Sequence, residues 1–180
     1  LIPAAIDIAK RIAAERGLDI GFAVHDVCEL PTDGPRYDLI VDSYCLQGIV
    51  LEHDRERLFG AVRARLRPTG YYLVSSAVFD PARYSEDAVV VDDLSGRRYH
   101  AYGDDLFAAD TDTVYRKLGA EKDGYEDAIR IAGAWWLPNR CHRTHEAIGE
   151  ELQAAGFVIL YGNGGHFVCA RDDVGRSDMW

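Results

Sequence analysis

Residues Ile20–Leu46, IGFAVHDVCELPTDGPRYDLIVDSYCL, hold two short apolar runs that each close on an acid. Ile20, Phe22 and Val24 recur at period two and lead to Asp26, whereas Leu39-Ile40-Val41 is continuous and leads to Asp42. Between them Pro31-Thr32-Asp33-Gly34-Pro35 is a cluster of turn formers. Alternation suits a strand with unlike faces, and a continuous apolar run suits one covered on both faces. The expectation is therefore two strands, Ile20–Val24 and Tyr37–Val41, with acids at their carboxyl ends. That is where an open α/β sheet binds its ligand.

Working outward, apolar residues at Ile6, Ile8, Ala9, Ile12 and Ala13 make a helical stripe over Pro3–Arg16. Pro3 suits its first turn and Gly17 the left-handed position beyond its end. A second helix opens at Asp54, with Leu58, Val62 and Leu66 four apart and Arg63, Arg65 and Arg67 complementing its carboxyl-terminal dipole. Pro68-Thr69-Gly70 ends it, and Tyr71–Ser76 reads as a strand. The segment 79–140 breaks this rhythm and is expected to be an inserted lid or substrate-binding segment in a single domain spanning 1–180. Within it, Ala88–Val91 and Arg97–Tyr102 suggest a hairpin, while Asp112–Leu118 and Tyr125–Trp136 suggest helices. Thr144–Ala155 reads as a helix ended by Gly156. Phe157–Tyr161 and His166–Ala170 then form an antiparallel hairpin around Gly162-Asn163-Gly164-Gly165.

The 180 residues suffice for one domain with a real core, and 48% apolar with 28% charged content is ordinary for a globular chain. The net charge of −10 argues against nucleic acid as a partner, because phosphate contacts need clustered Lys and Arg. Residues 80–127 carry 13 acids against 6 bases, so seven of the ten surplus negative charges lie in the insertion. No apolar run approaches the length of a membrane helix, and no membrane partner is expected. Cys28, Cys45, Cys141 and Cys169 form no CxxC pair, which suggests reduced thiols and a cytoplasmic setting. No metal site is indicated, since the i, i+3 pair His142 and His145 lacks completing ligands.

Taken together these segments resemble the later part of a class I S-adenosylmethionine-dependent methyltransferase. Asp26-Val27 is similar to the end of that family's third strand, and Tyr37–Asp42 to its fourth-strand motif. Leu66-Arg67-Pro68-Thr69-Gly70-Tyr71-Tyr72-Leu73 is similar to the LRPGGxxL segment before its fifth strand, and Glu150–Phe157 to its last helix entering the sixth. The resemblance implies an α/β, Rossmann-like core, a mostly parallel sheet with a C-terminal antiparallel hairpin. It covers about residues 1–78 and 141–172. The family's glycine-rich loop and the acid ending its second strand have no counterpart, since Leu1-Ile2-Pro3 would fall just after that acid. A core truncated at the N-terminus, with an incomplete cofactor pocket, is thus expected.

The resemblance further implies S-adenosyl-L-methionine as cofactor and methyl transfer to a small-molecule acceptor. Asp26 would accept from the adenine amino group, Val27 N–H would meet a ring nitrogen, and Asp42 and Ser43 would lie near the sulfonium. The structural alternatives are an acid opening a turn and plain strand termination. Tyr44 and Leu46 would line the pocket. His142, His145 and Asp80 are the candidates for a general base. Tyr115, Tyr125, Trp135 and Trp136 are candidates for an apolar acceptor wall, or for the insertion's own core. A homodimer remains open, as does a non-catalytic methyltransferase-like domain acting as a binding or oligomerisation module.

Overall fold

A computed structural model describes residues 3–80, 82, 89–92, 95–119, 125 and 127–173. The chain runs α1 (Pro3–Glu15), β1 (Tyr37–Ser43), α2 (Glu52–Arg65), β2 (Leu66–Ser75), β3 (Val89–Val91), β4 (Arg98–Tyr102) and β5 (Asp105–Ala108). It continues with β6 (Thr113–Lys117), β7 (Ile129–Ile131), β8 (Ala134–Cys141), α3 (His145–Ala154), β9 (Phe157–Asn163) and β10 (His166–Arg171). One-turn 3-10 helices sit at Val27–Glu29 and Leu46–Gly48.

Two sheets result. The first has the order β1-β2-β10-β9. β1 and β2, joined through α2, are parallel, and the C-terminal hairpin adds β10 and β9 antiparallel. Leu58, Phe59 and Val62 of α2 and Ile148 and Leu152 of α3 pack with Tyr72, Val74, Phe167 and Cys169 in one core. Two glycines, one within β2 and one in the turn before β10, are fixed by close approach. A Cβ on Gly70 would lie 2.9 Å from Tyr37 O, and one on Gly165 would lie 1.8 Å from Ser76 O. Backbones pass there at a separation no side chain tolerates.

The second sheet, β3-β4-β5-β6-β8-β7, is antiparallel throughout and is built from residues 89–141. Tyr99, Leu106, Ala108, Tyr115, Ile131 and Trp136 form its core. Phe79 stacks on Phe107 at 5.1 Å, fastening the outgoing connection to this sheet. Phe79 N–H also donates to Arg143 O at 2.8 Å, so the outgoing and returning connections are tied together.

Four expectations need correction. The sheet is not mostly parallel: among the described residues β1–β2 is the one parallel pairing. Ile20–Val24 forms no strand. Alternation makes a strand only where a neighbouring backbone completes the ladder, and Ile20 and Val24 lie exposed beside none. Asp112–Leu118 holds β6, and the described residues of Tyr125–Trp136 hold β7 and the start of β8, so both ranges carry strands where helices were expected. Thr113-Val114-Tyr115 carries β-branched and aromatic residues that suit a pleated surface. Ala132 and Gly133, both at positive φ (47° and 79°), make the tight turn that reverses β7 into β8. The hairpin of β3 and β4 is as expected, with Ala88, Asp93 and Leu94 outside the described residues.

Candidate functional site

Both acids of the opening stretch cap a turn, in different surroundings. Asp26 precedes the one-turn helix Val27–Glu29, and its Oδ1 accepts from Cys28 N–H at 2.9 Å. The first amide of such a turn, that of Val27, has no intrahelical acceptor by geometry. Asp26 and Val27 open onto a cleft of about 720 Å³, within the range of small-ligand sites. Its core-side wall carries Ile49 and Leu51, and its opposite wall carries Ile129 and Pro138 of the inserted sheet.

Asp42 is buried instead. Its Oδ1 accepts from Cys45 N–H at 2.8 Å and Leu46 N–H at 3.3 Å, and Tyr72 Oη–H donates to Oδ2 at 3.4 Å. Burial raises its carboxyl above the ordinary value, against these hydrogen bonds and the Arg55 charge. The carboxylate is thus committed to the loop that carries Tyr44. Tyr44 adopts a left-handed backbone (φ 63°), donates its N–H to Ser75 O at 2.7 Å and leaves its side chain exposed. A non-glycine residue held there stores strain, a recurrent mark of functional loops. Ser43 faces Ser75 across β1–β2, and Ser75 faces His166 across β2–β10. His166 Nδ1 lies 3.0 Å from Ser75 Oγ.

The other expected residues separate. His142 is 3% exposed, edge-on to the Tyr102 ring at 5.6 Å, and its N–H donates to Asp112 O. It is packed against the inserted sheet, buried rather than open at the surface. His145 opens α3 behind its N-cap Thr144, stacks on Phe167 at 4.7 Å and places Nδ1 2.5 Å from Gly164 O. Asp80 Oδ1 accepts from Ala82 N–H at 3.1 Å. Tyr115 and Trp136 lie in the inserted sheet's core, not on an acceptor wall. Tyr115 meets Tyr99 edge-on at 5.8 Å, and Trp136 Nε1–H donates to Ile131 O at 3.3 Å. Trp135 faces the opposite side of β8, half-buried. Leu46 is fully buried beneath the loop, and Tyr125 is exposed.

Sequence reading missed the residues that complete the cleft: Cys28, Cys45, Asp54, Asp127, Ile129 and Pro138. No local pattern marks them, because they come from four separate segments. Burial, reinforced by Asp26 and Asp54, pushes the Cys28 thiol up to about 11. Cys45 is raised as well, by burial and then by Asp42 and Asp26. Sequence reading also missed Arg55, which is 2% exposed. Its Nε and Nη2 donate to the two carboxylate oxygens of Glu151, each at 2.5 Å, and its Nη1 donates to Leu46 O (2.8 Å) and Ile49 O (3.0 Å). Arg143 joins this network, with Nη1 3.3 Å from Glu151 and Nη2 2.8 Å from Glu52. Charge-assisted contacts of this kind lock the loop beside the cleft to both helices.

Residues 1–70 match the model of the family described as methyltransferase domain. The chain resembles the class I methyltransferases.

The same likeness extends to the fold of the methyltransferase-like core. A protein from Pyrococcus horikoshii OT3 superposes at a TM-score of 0.57, with 14% identity over 92% of this chain and 66% of its own. An S-adenosylmethionine-dependent methyltransferase from Clostridium acetobutylicum ATCC 824 gives 0.51, with 14% identity over 89% of this chain and 68% of its own. The Burkholderia thailandensis 1,6-didemethyltoxoflavin-N1-methyltransferase, with bound 1,6-didemethyltoxoflavin and S-adenosylhomocysteine, gives 0.50, with 19% identity over 91% of this chain and 56% of its own. The chain thus spans about 56% to 68% of these neighbours. No curated protein matches it significantly.

Proposed function

We propose that this chain carries the adenine-side and acceptor-side parts of an S-adenosyl-L-methionine-dependent methyltransferase acting on a small molecule. The observation that carries this reading is the position of Asp26 and Val27 at the mouth of the cleft between core and inserted sheet. Asp26 uses Oδ1 for its own turn, so Oδ2 and the Val27 amide are the acceptor and donor that an adenine edge requires. These residues fit the adenosine end of the cofactor, which when bound supplies an electrophilic methyl group. Ser43, Tyr44 and Ser75, at the carboxyl ends of the parallel strands, form the rim on which an acceptor is oriented. Orientation does most of the work in such a transfer. His145 and His166, at the two sides of the closing hairpin's turn, are the imidazoles on that rim for taking a proton, with Asp80 at the start of the insertion as the carboxylate alternative. The insertion acts as the lid. Support for a small acceptor is the methyltransferase neighbour with bound 1,6-didemethyltoxoflavin and the surplus of acids in the insertion.

The test is calorimetric titration of S-adenosylhomocysteine into wild type and Asp26→Ala. Wild type is expected to bind, and the variant at least about tenfold more weakly, as loss of a charge-assisted hydrogen bond implies. Equal affinity in the two proteins refutes the reading. A second reading, a methyltransferase-like module that binds or oligomerises without transferring methyl, is favoured by exposed Leu39, Val41 and Tyr161 on the strands of the first sheet. Self-association in analytical ultracentrifugation, with no S-adenosylhomocysteine binding, selects it.

A further inference from the structure

Among the described residues Tyr44, Asp112 and Ala132 hold a left-handed backbone without being glycine, at φ 63°, 52° and 47°. Aspartate tolerates this conformation, and Ala132 has a small side chain beside Gly133 in a tight turn. Tyr44 is the bulky one, and for an aromatic residue the conformation is an outlier. It is nevertheless fixed on both sides. Its N–H donates to Ser75 O, and the next two amides donate to the buried Asp42 carboxylate. The ring returns little to the fold: Tyr44 is 52% exposed, and among the described residues no other ring or cation packs on it. A turn alone would be served by Gly or Asn. Strain held in place to present an exposed ring points to function. We infer that Tyr44 is a specificity-determining residue, whose ring stacks on a planar aromatic acceptor at the carboxyl end of β1. The inference rests on the methyl-transfer reading above and deepens it, by naming the acceptor's chemical class.

The surroundings of Tyr44 fit such a ligand. In the chain it stands between Ser43 and Cys45. Ser43 begins the row Ser43–Ser75–His166, which cross-strand pairing sets side by side on β1, β2 and β10. Ser43 and His166 are exposed, and Ser75 is half-buried. Cys45 lines the cleft that Asp26 opens onto. Tyr44 thus joins the cleft to a row of two hydroxyls and an imidazole. A flat ring bearing a hydroxyl or an amine finds there an aromatic face for its own face and hydrogen-bonding groups for its edge. Asp42, the carboxylate nearest in sequence, is buried beneath the loop and committed to Cys45, Leu46 and Tyr72. It adds no attraction for a cation at the ring, so the face of Tyr44 is left to a neutral π-system.

The experiment titrates the whole chain with naphthol, its fully saturated analogue decahydronaphthol and tetramethylammonium, read by saturation-transfer NMR. The two alcohols share a carbon skeleton and a hydroxyl, and the saturated one is no less apolar, so their comparison isolates planarity. Wild type is expected to bind naphthol at least about threefold more tightly than either other probe, as one aromatic stack implies. Tyr44→Phe should keep the ratio between the alcohols, and Tyr44→Leu should bring it close to one. Should Tyr44→Leu lack a native circular dichroism spectrum, Tyr44→Gly gives the same comparison. Scanning calorimetry of Tyr44→Gly and Tyr44→Ala tests the strain: both lack the ring, only glycine relieves the backbone, and the glycine variant should melt higher. No preference for naphthol in wild type, a ratio that Tyr44→Leu leaves unchanged, tighter binding of tetramethylammonium, or an alanine variant as stable as the glycine one overturns the inference. Parallel titration of wild type with S-adenosylhomocysteine keeps the two readings apart. Its binding without a preference for naphthol overturns the inference alone. Its failure to bind overturns the methyl-transfer reading, while a preserved preference still supports Tyr44 as the seat of a planar ring.

Discussion

Arg55 is the residue whose loss should be felt most widely. It is enclosed, it neutralises Glu151, and it holds the carbonyls of Leu46 and Ile49 in the loop that floors the cleft. Arg55→Met keeps most of the volume but leaves a carboxylate only 11% exposed, with Arg143 at 3.3 Å as its remaining counter-charge. Breaking a buried pair from one side costs about 3–5 kcal/mol. The residual Arg143 contact places this case near the lower end, and two carbonyls losing their donors add about 1 kcal/mol. A total of roughly 4 kcal/mol corresponds to about 2 M in urea midpoint for an m-value near 2 kcal/mol/M. The control is Arg55→Met/Glu151→Leu. With no carboxylate left unpaired, most of the loss should return and only about 1–2 kcal/mol from the carbonyls should remain. Urea unfolding followed by near-ultraviolet circular dichroism reads both. A single variant within about 1 kcal/mol of wild type, or a double variant no more stable than the single, would refute the account of Arg55 as a buried charge requiring its partner.

Gly165→Ala should lower stability by at least about 2 kcal/mol, roughly 4–8 °C in Tm, because its Cβ would stand 1.8 Å from Ser76 O; scanning calorimetry measures this. Asp42 has a carboxyl raised by burial from its ordinary 3.8, so the folded state holds its proton to higher pH than the unfolded chain does. The group therefore destabilises the fold increasingly as pH rises from about 3.8 through the raised value. Asp42→Asn, which can still accept from Cys45 and Leu46, should match wild type below that window and gain on it above, as pH-dependent urea midpoints would show. Alkylation of Cys28 by iodoacetamide at pH 8 should run about tenfold slower than for an ordinary thiol. A pKa near 11 cuts the thiolate fraction about a hundredfold, while greater nucleophilicity returns about a decade. Peptide mass spectrometry against an unfolded control checks it.

Local chemistry specified much of this protein. Pro3 and Gly17 bound α1, Thr144 and Gly156 bound α3, and the glycine turn closes β9 onto β10, each through a backbone preference that acts within a few residues. Asp26-Val27 and the segment from Leu66 to Leu73 also carried enough order and spacing to point to the methyltransferase fold. The sequence could not show that Ile20–Val24 would lack a ladder, since a strand exists only with its neighbour. Nor could it separate Asp26 from Asp42. Both end an apolar run, and only packing leaves one carboxylate at a cleft while Tyr72 and the loop enclose the other. The insertion was misread for a related reason. Thr113–Lys117 and Ile129–Ile131 are too short for periodicity to separate helix from strand, and pairing with β8 decided the matter. Tertiary structure alone brought Ile129, Pro138 and Asp127 across to face Asp26, because contacts between residues about a hundred positions apart leave no periodic trace in the chain.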